Sequence, residues 1–318
     1  MKISFIVCTY NAPDLIKRCL NSILRQKFSG EKEIILVDGG SDKATLDVLN
    51  KYKSKNISIV ENKKRLPEGY GNGKWLGWKK CHGEYVFIVD QDNELQGTNC
   101  VKEMLEPFEK EEIFGCLCIT KVKENDNLTN KYIALMGTDP FVAYRSLDGI
   151  KSLKKFGEDR GSYTLVELTK DNLLITGGNC FVYKKKYIDS IGGYVQDTEN
   201  IAKLVKKGYN KLAVPKKAFT HHYAIKGFMD FIKKKRKWAL AYQDNNGKRE
   251  FSYYPKTRNE RKALIINLFF IATIFPNIFI AVKQYYKSRE KAWFLHPILS
   301  FITAFIYFFY SFLRQKSI

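Results

Sequence analysis

Four short apolar runs, at residues 3–8, 33–37, 57–60 and 85–89, alternate with helix-like stretches near 13–27, 43–53 and 74–82. Each run has the length of a buried strand, and the alternation is that of successive strand-helix-strand units. This part of the chain therefore predicts an α/β domain, a mainly parallel sheet with helices on both faces. In such a sheet ligands sit at the carboxyl ends of the strands, where loops open onto a crevice and helix N-termini supply N–H donors. The first run follows Lys2 and is too short for the apolar core of a signal peptide, so the domain is expected to start at residue 1.

With 318 residues, 45% hydrophobic and 27% charged, the chain has material for a large core and is far from a disordered composition. Lys and Arg number 54 against 33 Asp and Glu, and the net charge of +21 favours anionic partners such as nucleotides, nucleic acid or acidic lipid headgroups. The seven Cys, at 8, 19, 81, 100, 116, 118 and 180, form no Cys-x-x-Cys pair and leave an odd thiol. That argues against a disulfide framework or zinc knuckle and for reduced thiols facing the cytosol.

The C-terminal third changes character. Residues 226–262 hold 12 Lys and Arg against 4 Asp and Glu, a local +8, with Phe228, Phe231, Trp238 and Tyr242 interleaved. Two uncharged runs follow, 263–282 and 292–313, of 20 and 22 residues, separated by the basic linker 283–291. Each is long enough to cross the hydrocarbon of a bilayer, which takes about 20 residues, although Asn267, Pro276, Asn277, His296 and Pro297 interrupt them. A buried hairpin in a soluble protein is the plainer account, but soluble helices seldom stay uncharged on every face. Membrane attachment is the expectation, with 226–262 as a basic amphipathic segment against anionic headgroups. A two-span hairpin would export the basic linker against the preference of positive charge for the cytoplasmic side. Either the larger basic flank prevails, or the two segments lie in the interface or re-enter on one side.

The chemistry-bearing motifs lie where the sheet would present them. The first strand ends in Thr9-Tyr10-Asn11 and the second in Asp38-Gly39-Gly40-Ser41-Asp42. Asp38 is placed to accept hydrogen bonds from a nucleobase or ribose; the plainer account is a tight Gly-Gly turn with Asp42 capping the next helix. In Gly69-Tyr70-Gly71-Asn72-Gly73-Lys74, glycines would let N–H groups approach a phosphate, with Lys74 and the helix dipole offsetting its charge, or the loop is a flexible turn. It is not a dinucleotide fingerprint, which would follow the first strand. The fourth strand ends in Asp90-Gln91-Asp92, where strand alternation would put both carboxylates on one side, a pair suited to Mn²⁺ or Mg²⁺ bridging to a diphosphate. Residues 121–170 are polar and read as an insertion or substrate-facing subdomain.

With Tyr10-Asn11, Asp38-Gly39-Gly40-Ser41-Asp42, Gly83-Glu84-Tyr85 and Asp90-Gln91-Asp92 in this order, the chain resembles family 2 glycosyltransferases of the GT-A fold over about residues 1–225. A later block is similar too: residues 176–182, Gly192-Gly193-Tyr194, Gln196-Asp197-Thr198-Glu199 and Gly208-Tyr209. The resemblance implies a nucleotide-sugar site made of Thr9, Tyr10, Asn11, Asp38, Gly71, Lys74 and Asp90. It also implies acceptor contacts from Gly177, Gly178, Asn179 and Glu199, and a general base at Asp197. The family's Glu-Asp pair reads Gln196-Asp197 here, which keeps the base and replaces its neighbour. His221-His222 resembles the family's late His, which completes the metal shell or touches the diphosphate, so Asp90, Asp92, His221 and His222 are the implied metal ligands; the plainer account of the two His is a surface pair with no ligand role. Asp197 and Glu199 could equally serve a helix N-terminus.

The expected activity is inverting transfer of a single sugar from a UDP- or GDP-linked donor to a membrane lipid or lipid-linked saccharide. The catalytic domain would span 1–225, face the cytoplasm, and be followed by a juxtamembrane segment at 226–262 and membrane helices at 263–318. Processive synthesis is disfavoured because the family's Gln-x-x-Arg-Trp reads Lys234-Lys235-Arg236-Lys237-Trp238. Rival classes are a nucleotidyltransferase, whose Gly-rich loop after the first strand is absent, and an inactive membrane scaffold, against which the four Asp argue. A nucleic-acid binder is disfavoured by the apolar tail and the lack of any helix-turn-helix or zinc pattern.

Overall fold

The computed structural model describes residues 1–66, 69–137, 139, 157–169, 173, 180–244 and 258–315. The chain forms two compact units, one of residues 1–121 and 153–222, the other of residues 122–152 and 223–318. This division differs from a single cut at residue 225, because 122–152 group with the C-terminal part of the chain.

In the first unit β1 (Lys2–Thr9), β2 (Glu31–Asp38), β3 (Ile57–Glu61) and β4 (Tyr85–Ile88) run parallel in the order β3-β2-β1-β4. Beyond β4 the sheet is mixed rather than mainly parallel. β10 (Phe181–Lys184) lies antiparallel between β4 and β6 (Gly115–Leu117), and β11 (Lys211–Pro215) is parallel to β6. β9 (Tyr163–Glu167) and β8 (Glu158–Asp159) complete nine strands among the described residues, each antiparallel to its predecessor. Among the described residues several strands and helices, rather than a single crossover helix, lie between β4 and β10, so the right-handed parallel crossover does not dictate the direction of β10. A second sheet of β5 (Asn93–Leu95), β12 (Phe219–His222) and β7 (Ile119–Thr120) was not foreseen from the sequence.

Alternation along β1 sorts its neighbours. Ile3, Phe5 and Val7 join the core with α1 (Pro13–Leu24), α2 (Lys43–Tyr52) and α4 (Cys100–Lys110). In α1 Pro13 suits the first turn, and Ile16, Cys19, Leu20 and Ile23 form the buried stripe. The opposite face carries α3 (Gly73–Lys80), pressed so close that a Cβ on Gly77 would meet Ile6 Cγ2 at 2.5 Å. This contact holds the start of α3 over the carboxyl end of β1. Two further helices, α6 (Lys185–Ser190) and α7 (Asp197–Lys206), follow β10. All seven cysteines are free thiols.

The second unit contains α5 (Leu128–Met136), α8 (Phe228–Asp244), α9 (Arg258–Thr273), α10 (Phe275–Ser288), a 3₁₀ turn at Lys291–Leu295 and α11 (His296–Gln315). Tyr132, Ala224, Ile225, Phe231, Trp293 and Leu299 form its core. The uncharged run 263–282 is not one straight helix. The helices α9 and α10 meet at Ile274, whose φ is +61°, and bend by 89°. Pro276 in the first turn of α10 accounts for the break, since proline has no N–H to bond the carbonyl four residues back and its ring would crowd that carbonyl in a continuous helix. The 3₁₀ turn and α11 together make Lys291–Tyr310 a helical stretch long and apolar enough to cross a membrane, and half of it is buried.

Candidate active site

The carboxyl ends of β1, β2 and β4 meet the start of α3 and the start of α7, and the predicted acidic residues gather there. Lys74, on the first turn of α3, lies 3.2 Å from an Asp90 oxygen and 3.2 Å from Asp197 Oδ1. One ammonium therefore joins two carboxylates 107 residues apart in sequence, Asp90 after β4 and Asp197 at the start of α7. Burial disfavours the Lys74 ammonium, but the charges of Asp197 and Asp90 outweigh it and hold its pKa above the usual lysine range. Burial raises the Asp90 carboxyl above its ordinary value although Lys74 opposes the rise.

The loop before α3 is what brings Lys74 to this place. Asn72 caps the helix by accepting from Trp75 N–H at 2.8 Å, and its side-chain amide donates to Val195 O at 2.7 Å. Gly69 N–H donates to the same carbonyl at 3.2 Å. The Gly-rich loop thus clasps the residues just ahead of Asp197, with Gly71 at φ +93° supplying the turn. The sequence placed Lys74 against a phosphate; the structure places it between Asp90 and Asp197. Tyr194 OH donates to Asp197 Oδ1, and burial first, then the Asp197 charge, hold the phenol well above its ordinary pKa.

Gln196 caps α7 by accepting from Glu199 N–H at 3.0 Å. The residue that replaces the family's Glu therefore has a definite task, orienting the turn that carries Asp197. Glu199 itself is buried. Gly177, Gly178 and Asn179 lie outside the described residues.

Asp90 and Asp92 reach the site by a different route from the strand alternation expected. β4 ends at Ile88, and 90–93 form a turn closed by Asn93 N–H to Asp90 O at 2.9 Å. Asp90 turns toward Lys74, whereas Asp92 turns toward His222 Nε2 at 3.4 Å. His221, its neighbour on β12, instead sets Nδ1 3.0 Å from Lys121 O. Successive strand residues face opposite ways, which is why only His222 joins Asp92. Gln91 between the two acids accepts from Thr9 Oγ1 at 2.7 Å and Tyr10 N–H at 3.0 Å, fastening the turn to the end of β1.

The loops after β1 and β2 are laced together. Asn11, at φ +46°, receives Asp42 N–H on its side-chain oxygen at 2.8 Å, and its own N–H donates to Ser41 Oγ at 3.1 Å. Asp38 is buried and accepts from Gly40 N–H at 3.0 Å and Ser41 N–H at 3.1 Å, so its carboxylate shapes the loop. Asp42 caps α2 through Thr45 N–H at 2.9 Å. Sequence reasoning missed Arg65, whose guanidinium sits 4.5 Å over the half-exposed Tyr10 ring beside this loop. No motif surrounds Arg65; its closeness to Gly39, whose Cβ would touch Arg65 Cδ at 3.3 Å, arises only in the fold.

Among known proteins, the model of the family described as glycosyl transferase family 2 matches residues 4–192, more than half of the chain. A poly(ribitol-phosphate) beta-glucosyltransferase of Bacillus spizizenii is 39% identical over 95 residues, taking in 29% of this chain and 15% of that protein. The chain thus spans only a small part of that relative's length. A poly-beta-1,6-N-acetyl-D-glucosamine synthase of Staphylococcus aureus is 26% identical over 216 residues, 65% of this chain and 46% of the relative. Among solved structures, the mannosyltransferase PcManGT of Pyrobaculum calidifontis, in complex with GDP-Man and Mn²⁺, superposes with a TM-score of 0.58 at 14% identity, covering 96% of this chain and 86% of that one. The S. aureus TarS fragment 1–349 with UDP-GlcNAc gives a TM-score of 0.50 at 20% identity, covering 84% and 72%. These likenesses give the fold as GT-A. The ordered motifs, the sheet that carries them and the match over residues 4–192 lead to one conclusion: the chain belongs to glycosyl transferase family 2.

Proposed function

We propose that this chain transfers a single sugar, with inversion, from a UDP- or GDP-linked donor to a membrane-bound acceptor such as a lipid-linked saccharide or cell-surface glycan precursor. The observation that carries this reading is the convergence of Lys74, Asp90 and Asp197 at the carboxyl edge of the sheet. Asp197 is the general base. It takes the proton of the acceptor hydroxyl as that oxygen bonds to the anomeric carbon and the bond from that carbon to the diphosphate oxygen breaks, the electron pair leaving with the nucleoside diphosphate. Tyr194 and Lys74 orient its carboxylate, and Gln196 fixes the helix start from which it projects. The Thr9-Tyr10-Asn11 loop, with Arg65 on Tyr10, lines the nucleotide side, and Asp38 shapes that side from within. The acceptor side is assigned to Gly177, Gly178, Asn179 and the buried Glu199.

Mn²⁺ or Mg²⁺ is the cation this reading calls for. Asp92 and His222 offer carboxylate oxygen and imidazole nitrogen side by side, whereas Asp90 is turned to Lys74 and would have to leave it to join them; among the described residues no three such donors stand together. When bound, the ion would offset the negative charge of the leaving diphosphate. The relative solved with Mn²⁺ supports this choice. Residues 1–225, apart from the segment 122–152 that groups with the C-terminal unit, are the catalytic domain, cytoplasmic because the thiols are free and nucleotide sugars are made there, and 226–318 attach it to the membrane.

The test is Asp197→Asn. Transfer from a radiolabelled UDP- or GDP-sugar should fall by about 10² to 10⁴ while donor binding is retained, since loss of a base affects the transition state more than the ground state. Substantial residual turnover would remove the base assignment.

A further inference from the structure

The 89° elbow at Ile274 and the polar side chains that grip α11 at both ends bear on how the second unit meets a membrane. From the reading that this part of the chain attaches to a membrane, we infer that it is monotopic: the elbow and one stripe of α11 enter a single leaflet of an anionic bilayer, and nothing crosses.

The elbow cannot span. Its uncharged arms, 263–273 and 275–282, rise about 16 Å and 12 Å, and at a right angle their ends stand about 20 Å apart, short of a hydrocarbon core of about 30 Å. Its outer surface is apolar, with Ile265, Phe269, Phe275 and Phe279 all at least 60% exposed. Large apolar side chains exposed to this degree along one short stretch mark an interaction site. Cations flank it, Arg258, Arg261 and Lys262 before and Lys283, Lys287, Arg289 and Lys291 after. That charge pattern matches an anionic headgroup layer over an acyl layer.

α11 has the length to cross, but its surroundings do not. Leu299, Ser300, Thr303 and Ile306 are sunk in the unit, whereas Ile298, Phe301, Phe305 and Phe308 form the exposed stripe. Near its start His296 Nδ1 lies 2.9 Å from Tyr132 OH of α5. Near its end Tyr307 OH donates to Asp139 at 2.5 Å, Asp139 pairs with the buried Lys235 of α8 at 2.5 Å, and Arg236 lies 5.5 Å from the Tyr310 ring. From His296 to Tyr310 the helix rises about 21 Å. A spanning α11 would therefore drag α8, with the exposed Lys233, Arg236 and Lys237, into hydrocarbon. Lying in the interface with its stripe inward, α11 leaves those cations in water. The basic linker 283–291 then stays on the same side as α8, which removes the topological conflict raised by its charge.

The test uses the full chain in sealed membrane vesicles of both orientations. Met229→Cys in α8, Lys287→Cys in the linker and Ser317→Cys at the C-terminus are labelled with a membrane-impermeant maleimide, the unsubstituted chain giving the background of native thiols. All three should label from one and the same side, and lose labelling together in the opposite orientation. Labelling of Lys287→Cys or Ser317→Cys from the side opposite Met229→Cys overturns the monotopic arrangement while leaving membrane attachment standing. Vesicle flotation separates the two ideas: a purified chain that fails to float with phosphatidylglycerol vesicles, whether monomeric or covering the apolar face with a second copy, overturns the attachment reading itself.

Discussion

Replacing Lys74 with Met keeps the reach of the side chain and removes the charge that joins Asp90 to Asp197. Each 3.2 Å contact has a gross attraction of about 5 kcal/mol at an effective dielectric of about 20. Desolvation of the three groups offsets much of it, and removing one partner of a fully buried pair costs about 3–5 kcal/mol. Here the lysine side chain is 18% exposed and both carboxylates 31%, so solvent screening brings the expected loss to about 2 kcal/mol. For a unit of this size that lowers Tm by about 4–8 °C. Calorimetry of the wild type, Lys74→Met, Asp197→Asn and the double variant measures the coupling directly. Asp197→Asn should cost less, or even stabilise, when added to Lys74→Met, because it relieves two carboxylates left facing each other. A Lys74→Met protein melting within about 1 °C of wild type, or strictly additive losses, would refute the bridge.

Three further outcomes are expected. Stabilisation of the chain by UDP or GDP should depend on Mn²⁺, and Asp92→Ala should abolish that dependence in a thermal-shift titration; unchanged dependence would remove Asp92 from the cation site. In Glu33 burial works against ionisation, but hydrogen bonds from Ser4 and His82 outweigh it and hold the carboxyl below its ordinary pKa. Its contribution is thus complete above the unfolded value of about 4.3 and is lost as pH falls through the folded one, so Glu33→Gln should flatten the acid limb of a urea-midpoint profile below about pH 5 and leave the neutral range unchanged in slope. Gly83→Ala would set a Cβ 2.6 Å from Ser4 N in β1, and should destabilise by about 1–3 kcal/mol in urea unfolding; a neutral result would contradict the packing of β4 on β1.

Much of the first unit was legible because it is written locally. Each of the first four strands is one apolar run, and Asp42 announces the helix it caps. What escaped depends on distant partners. The antiparallel insertion of β10 and the pairing of β5 with β12 join segments with no sequence signal of direction. Lys74 was legible as a charged residue after a Gly-rich loop, but its two carboxylates were not, since the Val195 carbonyl that positions the loop lies 123 residues away. The triplet 90–92 was found for its composition and misread in its geometry, because the strand stops at Ile88, before either aspartate, and alternation cannot act on them. Pro276 was visible in the apolar run; the right-angled break it produces was not.

The parallel course of β1, β2 and β4 has a practical consequence. Their amino ends share one carboxylate: Glu33 receives Ser4 Oγ, the N–H of His82 and, at 3.2 Å, that of Gly83. Their carboxyl ends carry the candidate active centre. Strand polarity therefore allots the acid-labile fastening of the sheet and the proposed acid-base chemistry to opposite rims. An engineer could retune the pH range over which the protein stays folded through Glu33, Ser4 and His82 without altering a group that meets substrate, and a pH–rate profile could be shifted at the other rim without loosening the sheet.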